Sequence, residues 1–376
     1  MNNPFVTNGY AGPEYFCDRV EETKYLTSLL TNENNVALIS PRRLGKTDLI
    51  RHCFAQEEIK SHYYTFIVDI YATQSLTDLV NLLGRSILET LRSKGRSTWE
   101  RFIQIVASLR SEITFDINGM PSWSVGVGSI SDPSTTLDEI FKYLASADRR
   151  CLIAIDEFQQ ITHYSDNSNV EAALRTHIQR CANANFVFSG SQRHLMGEIF
   201  MSASRPFYQS VTIFNLKPIP VDKYQAFASS KYKEAGKQLS DDVVPALFER
   251  FNNITSYIQK LMNYMFQATP VGEECTADMI DKGIDFILDL SADTYEAMLY
   301  QMPAKQRETL LAIARERVAT GVAGSKFVRR HRLTSASAVI SAVKGLLEKD
   351  FITRERDSYW VYDQFFQLYL ERNTLK

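Results

Sequence analysis

The sequence predicts an α/β protein in which a parallel sheet has helices on both faces, followed by an all-helical lid and a C-terminal winged helix. Short apolar runs alternate with helical periodicity through the first 220 residues, which is the order that produces a parallel sheet. The periodicity is then helical throughout residues 221–290. After residue 291, helical segments lead into a stretch typical of a β-hairpin. The expected domains are therefore 1–220, 221–290 and 291–376.

Five segments of the first domain predict strands. Each is rich in β-branched, aliphatic or aromatic residues, and the apolar runs are nearly continuous, as in strands buried on both faces of a sheet. They are residues 36–39, 63–70, 151–155, 185–189 and 211–216. Between the second and third strands, residues 76–110 carry long helical periodicity, and residues 113–130 predict an inserted hairpin.

The bulk composition excludes several classes of protein. The chain has 376 residues, 44% of them apolar and 23% charged, so a disordered or collagen-like chain is excluded. The five cysteines show no CxxC pair and no zinc-like spacing, which predicts free thiols in a reducing compartment. No leader-like N-terminus is visible, and no apolar run approaches the roughly 20 residues of a membrane span. A cytoplasmic protein without a membrane segment is expected.

A phosphate-binding loop is predicted directly after the first strand. Residues 40–47 read Ser-Pro-Arg-Arg-Leu-Gly-Lys-Thr and lead into a helix, so strand, tight loop and helix follow one another as a P-loop requires. In such a loop, backbone N–H groups and the positive end of the helix bind phosphates. Lys46 would reach the β- and γ-phosphates, and the Thr47 hydroxyl would ligate Mg²⁺. The residues expected to contact the nucleotide here are Ser40, Pro41, Arg42, Arg43, Leu44, Gly45, Lys46, Thr47 and Asp48.

Ser40 occupies the place of the first glycine of the usual loop pattern. Serine is small enough for that place, but it carries a backbone cost if the position needs a positive φ. We therefore expect slow turnover from this departure.

A pair of acidic residues ends the third predicted strand. Asp156 and Glu157 follow its apolar run about 110 residues after the loop. Asp156 is expected to hold Mg²⁺ as a Walker B acid, and Glu157 to polarise the attacking water as a general base. The next strand ends in Ser189, which could orient that water, with Ser191 as the alternative.

Arginines complete the predicted site. The charge of a γ-phosphate is often met by an arginine from a neighbouring subunit. Arg205 is the preferred candidate for this role, and Arg193 also follows the fourth strand. Ordinary surface positions are the alternative for both residues.

Four motifs in this order resemble one family. Residues 16–22 read Phe-Cys-Asp-Arg-Val-Glu-Glu, the loop follows at 40–47, Ile-Asp-Glu-Phe-Gln-Gln stands at 155–160, and Ser-Gly-Ser-Gln at 189–192. In these motifs the chain resembles the archaeal-type ATPases, which are prokaryotic P-loop proteins of the STAND group related to AAA+ ATPases. The resemblance implies a P-loop NTPase core, ATP or ADP with Mg²⁺ as ligands, a helical lid and a winged helix.

The resemblance also implies a place for the base of the nucleotide. In the family the segment before the P-loop helps to hold the base, so Phe16 and Arg19 are expected near the adenine. The chain departs from the family in the lid, where the Gly-His-Pro-x-Tyr motif is replaced by residues 252–259, Asn-Asn-Ile-Thr-Ser-Tyr-Ile-Gln. This departure puts a sensor-2 role for the segment in doubt.

The C-terminal domain carries a local positive charge. Helices are expected at 303–317 and 334–349, and a hairpin at 351–362 that turns at 356–358. Residues 325–356 hold eight Lys or Arg against three acids, a net charge of +5 in a chain whose net charge is −2. Contact with the backbone of double-stranded DNA is one reading, and docking to a protein partner is the other. The open face of the second helix offers Ser337, Ser341 and Lys344, which supports base readout poorly.

Two functions follow from these features. The first is Mg²⁺-dependent ATP hydrolysis that moves the lid and winged helix. The second is a nucleotide-dependent switch that turns over slowly and recruits a protein partner or forms a homo-oligomer. Glu157 and Arg205 favour turnover, whereas Ser40 and the altered lid motif favour the switch.

Overall fold

The computed structural model describes residues 2–373 apart from 118, 124–129 and 131. In chain order the strands are β1 (Val36–Ile39), β2 (Tyr63–Asp69), β3 (Ile113–Phe115), β4 (Pro121–Trp123), β5 (Arg150–Asp156), β6 (Ala184–Gly190), β7 (Thr212–Asn215), β8 (Gln238–Leu239), β9 (Glu274–Cys275), β10 (Ala319–Thr320), β11 (Ile352–Glu355) and β12 (Ser358–Val361).

The α-helices, again in chain order, are α1 (Val20–Thr31), α2 (Lys46–Phe54), α3 (Glu57–Lys60), α4 (Leu76–Arg92), α5 (Arg96–Ile105), α6 (Pro133–Ser146), α7 (Asn167–Arg180), α8 (Arg193–Met201), α9 (Val221–Glu234), α10 (Val243–Arg250), α11 (Thr255–Ala268), α12 (Met279–Gln301), α13 (Ala304–Glu316), α14 (Ser325–Arg330), α15 (Ala336–Glu348) and α16 (Gln364–Asn373). Short 3₁₀ helices lie at Pro13–Tyr15, Ala107–Glu112 and Phe158–His163.

The five predicted strands form one parallel sheet in the order β2-β5-β6-β1-β7. Strands β1, β5 and β6 are buried along their apolar residues because helices cover both faces. Strand β6 lies between β1 and β5. The carboxyl ends of these three strands therefore meet at one edge, where the loop and the acidic pair begin.

The helical region between β2 and β3 is divided. Helix α4 begins at the N-cap Ser75, whose side chain accepts from the Asp78 N–H, and buries a stripe of leucine, valine and isoleucine side chains against the sheet. The continuous periodicity of residues 76–110 predicted one helical region, but the chain breaks before α5. Gly95 has a φ of +117°, a conformation that glycine adopts without a Cβ penalty.

The inserted hairpin agrees with its prediction as far as the structure describes it. Strands β3 and β4 pair antiparallel, with Ile113 opposite Trp123. Residues 118 and 124–129 of the predicted hairpin lie outside the described residues.

The chain divides into two compact units. The sheet unit comprises Asn8–Tyr224 and Ile254–Ser256, and the helical unit comprises Met1–Thr7, Gln225–Asn253 and Tyr257–Lys376. The three-domain division of the sequence stays a prediction. Helix α12 runs without a break across residue 290, where the lid and the winged helix were expected to separate.

The helical unit has an aromatic core. Phe5 is fully buried and packs against Phe227, Tyr232 and Phe266, with ring centroids 5.6–6.0 Å apart. Farther along the unit, Tyr295 of α12 lies 4.9 Å from the ring of Phe366 in α16. No helix among the described residues is long and apolar enough to cross a membrane.

The C-terminal part of this unit contains the predicted hairpin. Strands β10, β12 and β11 form an antiparallel sheet in that order, and α13, α15 and α16 pack on it. The hairpin turns where Arg356 adopts a left-handed φ of +55°. Helix α15 begins at the N-cap Ser335, whose hydroxyl accepts from the Ala338 N–H at 3.2 Å.

Candidate functional site

The loop between β1 and α2 has its left-handed residues away from Ser40. Arg43 and Gly45 have φ values of +68° and +85°, whereas Ser40 does not have a positive φ. Ser40 is fully buried, and its N–H donates to the Gly190 carbonyl at 3.3 Å. The backbone cost considered for serine at this place therefore does not arise, and slow turnover cannot be argued from it.

Lys46 is folded back onto the loop that precedes it. Its side chain is buried, and its Nζ donates to the carbonyls of Ser40 and Pro41 at 3.1 and 3.3 Å. Burial lowers the pKa of Lys46, and the nearby Glu157 and Asp156 carboxylates oppose that shift. Both hydrogen-bond acceptors of this ammonium are neutral backbone carbonyls, so an anionic oxygen would be a stronger acceptor for it.

Asp156, at the end of β5, accepts hydrogen bonds from residues at the start of α2 and near the end of β6. Its Oδ2 accepts from the Thr47 hydroxyl at 2.5 Å, and its Oδ1 accepts from the Ser189 hydroxyl. The Glu157 N–H also donates to Oδ1, at 3.0 Å. The structure thus brings together the residue pair predicted to hold Mg²⁺ and the serine predicted to orient water.

The oxygen atoms of Thr47 and Asp156 suit a hard cation. Mg²⁺ is usually held by one or two protein oxygens and completes its shell with water and phosphate. Among the described residues, no cluster of three or more His, Cys, Asp or Glu side chains is arranged for a metal. Thr47 and Asp156 supply two such oxygens side by side.

Glu157 is held by two donors at one carboxylate oxygen. Its Oε2 accepts from the Ser191 hydroxyl at 2.7 Å and from the Gln159 side-chain amide. Its backbone is left-handed, with a φ of +54°. Ser191 in turn accepts from Arg42 Nε at 3.2 Å, so the loop and the second acidic residue are linked.

The two serines therefore have different contacts. Ser189 is fully buried on Asp156, whereas Ser191 lies between Glu157 and Arg42. Which of them orients water stays a prediction.

Asp69 and Gln159 belong to the site but were not predicted from the sequence. Asp69 ends β2 directly opposite Asp156 in the strand pairing, and burial raises the pKa of its carboxyl group. The signal that identified Asp156 also applies to Asp69, because both carboxylates end strands of the parallel sheet, although β2 is an edge strand with only alternate residues buried. Gln159 stands inside the motif at 155–160 that carries the family resemblance, but the sequence analysis assigned it no role.

Asp48 lies on the first turn of α2. Burial raises the pKa of its carboxyl group, Arg51 opposes the shift, and Asp156 adds to it. This half-buried acid adds to the negative charge near Asp156, and direct contact of Asp48 with a nucleotide stays a prediction.

Arg19 supports the phosphate-binding loop from behind. Its side chain is buried, and its NH2 donates to the Leu44 carbonyl at 3.1 Å. Its NH1 donates to the Lys217 carbonyl at 2.7 Å and to Glu22 at 2.8 Å. The expected nearness to adenine stays a prediction, but this guanidinium is engaged by the protein itself.

Phe16 lies in an aromatic cluster beside α2. Its ring stacks on His52 with centroids 4.3 Å apart, and His52 Nδ1 lies 2.9 Å from the Tyr10 hydroxyl. The cluster fixes the segment before α1 against the helix that begins at the P-loop. A contact between Phe16 and adenine stays a prediction.

Arg205 has a carboxylate partner in its own chain. Its NH2 forms an ion pair with Glu171, a side chain with no solvent exposure. Arg193 is exposed at the first residue of α8. A role of either arginine in a neighbouring subunit stays a prediction, and Arg205 would first have to leave Glu171.

The altered lid motif touches the loop through its backbone. Residues Ile254–Ser256 belong to the sheet unit, and the Ser256 N–H donates to the Arg43 carbonyl at 3.2 Å. This contact needs no particular side chain, which is consistent with the absence of the histidine of the family motif.

Models of two protein families match this chain. The model of an ATPase domain found predominantly in Archaea matches residues 16–244, which is more than half of the chain. The chain belongs to this family. A probable winged helix domain matches residues 293–372, so the predicted P-loop ATPase with a C-terminal winged helix is confirmed. Membership of the STAND group stays a prediction.

Solved structures share the fold. A Walker-type ATPase of Pyrococcus abyssi aligns with a TM-score of 0.63 at 16% identity, over 98% of this chain and 99% of that one. The ORC2 protein of Aeropyrum pernix, solved with ADPNP and ADP, gives 0.55 at 13% identity over 100% and 99%. The ORC1 protein of the same organism, solved with DNA, gives 0.54 at 12% over 96% and 94%. No curated protein matches the sequence.

Proposed function

We propose that this ATPase-family protein binds ATP with Mg²⁺, hydrolyses it, and uses the cycle to move its lid and winged helix. The observation that carries the proposal is the contact of Asp156 with both Thr47 and Ser189, next to the buried Lys46. A loop lysine, a hydroxyl and a strand-end carboxylate are the parts that P-loop hydrolysis uses.

Each residue has a separate task in this proposal. Lys46 would exchange its carbonyl partners for the β- and γ-phosphates, and Thr47 and Asp156 would hold Mg²⁺. The metal would neutralise phosphate charge when bound. Glu157 would accept a proton from the attacking water, and Ser189 or Ser191 would orient that water.

The test separates binding from turnover. We expect Lys46→Ala to lose ATP affinity and Glu157→Gln to bind ATP without releasing phosphate. Isothermal titration measures the first property, and a phosphate-release assay the second. Lys60→Ala, at an exposed position of α3, is the matched control and should change neither. Phosphate release by Glu157→Gln at the wild-type rate would show that the base is assigned to the wrong residue.

The alternative is a slow nucleotide-dependent switch that recruits or oligomerises with a protein. It is supported by the lid segment at residues 252–259, which lacks the glycine and histidine of the family motif. A wild-type protein that binds ATP and oligomerises without measurable phosphate release would favour the switch. Oligomeric state with ATP and with ADP, measured by light scattering, decides this point.

The winged helix offers two kinds of contact. Exposed basic residues such as Arg329 and Arg332 support contact with the backbone of double-stranded DNA. The outer face of α15 also carries Ile340, which is 58% exposed, and Glu348, neither of which favours a nucleic-acid surface. A groove of about 350 Å³ beside Ile340 supports protein docking instead.

Salt dependence separates these two kinds of contact. If DNA binds here, a variant with Gln in place of Arg329, Arg330 and Arg332 should depend less steeply on salt. The negative slope of log affinity against log salt should shrink in magnitude by roughly 0.9 for each phosphate that is no longer neutralised. Unchanged affinity and slope would exclude this surface as the DNA site. An ATPase assay with and without duplex DNA then tests the coupling between the winged helix and turnover.

A further inference from the structure

The side chain of Gln159 is buried between the second acidic residue and the end of β6. It is 2% exposed, its Nε2 donates to Glu157 Oε2, and the same nitrogen lies 3.4 Å from the Ser191 hydroxyl. Its Oε1 is buried and has no hydrogen-bond partner among the described residues. Because a carboxylate only accepts hydrogen bonds, the nitrogen must face Glu157 and the oxygen must take the unpaired side.

The end of β6 provides the space for this amide. A Cβ atom on Gly190 would lie 2.6 Å from Gln159 Oε1 and 2.3 Å from the Met196 sulfur. A side chain at position 190 would therefore displace the amide from Glu157. The Gln159 amide thus keeps its hydrogen bond to Glu157 Oε2 although its own oxygen is left unpaired, and this position is open only because residue 190 is glycine.

A line of contacts reaches Glu157 from the loop on its other side. Arg42 Nε donates to Ser191 Oγ at 3.2 Å, and Ser191 Oγ donates to Glu157 Oε2 at 2.7 Å. Both donors act on Oε2, and neither uses Oε1. The backbone of Glu157 is in the left-handed region, which is strained for a residue other than glycine and persists only where surrounding contacts hold it.

We propose that Gln159 is a positioning residue that fixes the carboxylate of Glu157 for proton transfer, with Ser191 as the second support. This inference rests on the proposed hydrolysis. With Oε2 held by two donors, rotation of the carboxylate is restricted and Oε1 is the oxygen that accepts the proton of the attacking water. Gln159 itself contacts neither phosphate nor water in this scheme.

The decisive variant is Gln159→Met, which keeps the length and volume of the side chain and removes the donor. We expect kcat to fall about tenfold or more, because a misplaced base costs rate in steps of this size, while the Kd for ATP stays within about twofold. The matched control is Gln160→Met. Gln160 lies in the same 3₁₀ helix, but its amide donates to the Thr73 carbonyl at 2.9 Å rather than to an acid, so kcat should hold.

Ser191 provides an independent measurement. Ser191→Ala should also lower kcat, and Ser191→Thr should restore it because the hydroxyl is retained. Since both donors act on one oxygen, the double variant Gln159→Met with Ser191→Ala should lose less than the product of the single losses.

The outcomes are distinguishable. A hydrolysing wild type whose Gln159→Met variant keeps its kcat overturns the inference alone. A parallel loss of kcat, ATP affinity and melting temperature in Gln159→Met also overturns it, because it indicates a structural role. A wild type that binds ATP and releases no phosphate contradicts the proposed function and the inference together.

Discussion

The buried guanidinium of Arg19 allows a quantitative prediction, because the chain contains an exposed ion pair of the same length. Arg19 and Glu22 are 2.8 Å apart, and so are Arg85 and Glu89. The Arg19 side chain is 3% exposed, whereas those of Arg85 and Glu89 are 54% and 52% exposed. The two ion pairs have the same length but differ in burial, and Arg19 also donates to two backbone carbonyls.

Arg19→Ala should destabilise the sheet unit strongly. The change leaves the carbonyls of Leu44 and Lys217 without their donor. A buried acceptor without a donor costs about 1–3 kcal/mol, and the partly buried Lys217 carbonyl costs less than the buried Leu44 carbonyl. We expect a total of about 2–5 kcal/mol, a large part of the roughly 5–15 kcal/mol that stabilises a folded protein. Arg85→Ala should cost about 0.5 kcal/mol or less, since an exposed helix pair contributes little.

The assay is urea unfolding followed by tryptophan fluorescence in a Trp360→Phe background. Of the three tryptophans, Trp99 and Trp123 lie in the sheet unit and Trp360 in the helical unit, so the substitution leaves reporters only where Arg19 is. The free energy follows from the midpoint and the slope. Equal midpoint shifts for Arg19→Ala and Arg85→Ala would refute the argument that burial decides the cost.

Three further predictions concern the site and its surroundings. Gly190→Ala should lower the free energy of unfolding by about 1–3 kcal/mol through overpacking against Met196. The control is Gly197→Ala, at a glycine within helix α8. An unchanged melting temperature of Gly190→Ala would contradict the packing argument. Because burial lowers the pKa of His52 below its unfolded value of about 6.5, its contribution to stability is present above that pH and is lost as the pH falls through the folded pKa. His52→Phe should therefore reduce the loss of stability between pH 7.5 and 5, measured by urea unfolding, and an identical pH dependence would exclude this residue. Removal of Mg²⁺ with a chelator should stop phosphate release and leave the melting temperature of the nucleotide-free protein unchanged, and continued release would contradict the metal's assigned role.

The order of elements was predictable because it depends on local patterns. The apolar strands and the loop at residues 40–47 follow from periodicity and motif, and a carboxylate that ends a parallel strand must lie at the same edge of the sheet as the loop. The contacts of Thr47 and Ser189 with Asp156 are a direct consequence of that topology.

The remaining features depend on positions that no local pattern specifies. Ser40 was expected to carry backbone strain, but the loop reaches its shape through left-handed residues at 43 and 45. Arg19 was expected near adenine through a family resemblance, and its three acceptors come from segments as far apart as Glu22 and Lys217. Gln159 gains its environment only when β6 and the 3₁₀ helix pack together.

The first residues of the chain belong to the helical unit, which affects how that unit could be exchanged for another. Asn3 and Asn263 donate to each other's segment, to the Asn263 and Phe5 carbonyls, and Phe5 fills the aromatic core of the helical unit. The match to the ATPase family begins only at residue 16. A recombination event that replaced the chain after residue 224 alone would pair a foreign helical unit with a segment selected for the old one. An exchange confined to this unit would have to cross the chain at four boundaries, after residues 7, 224, 253 and 256.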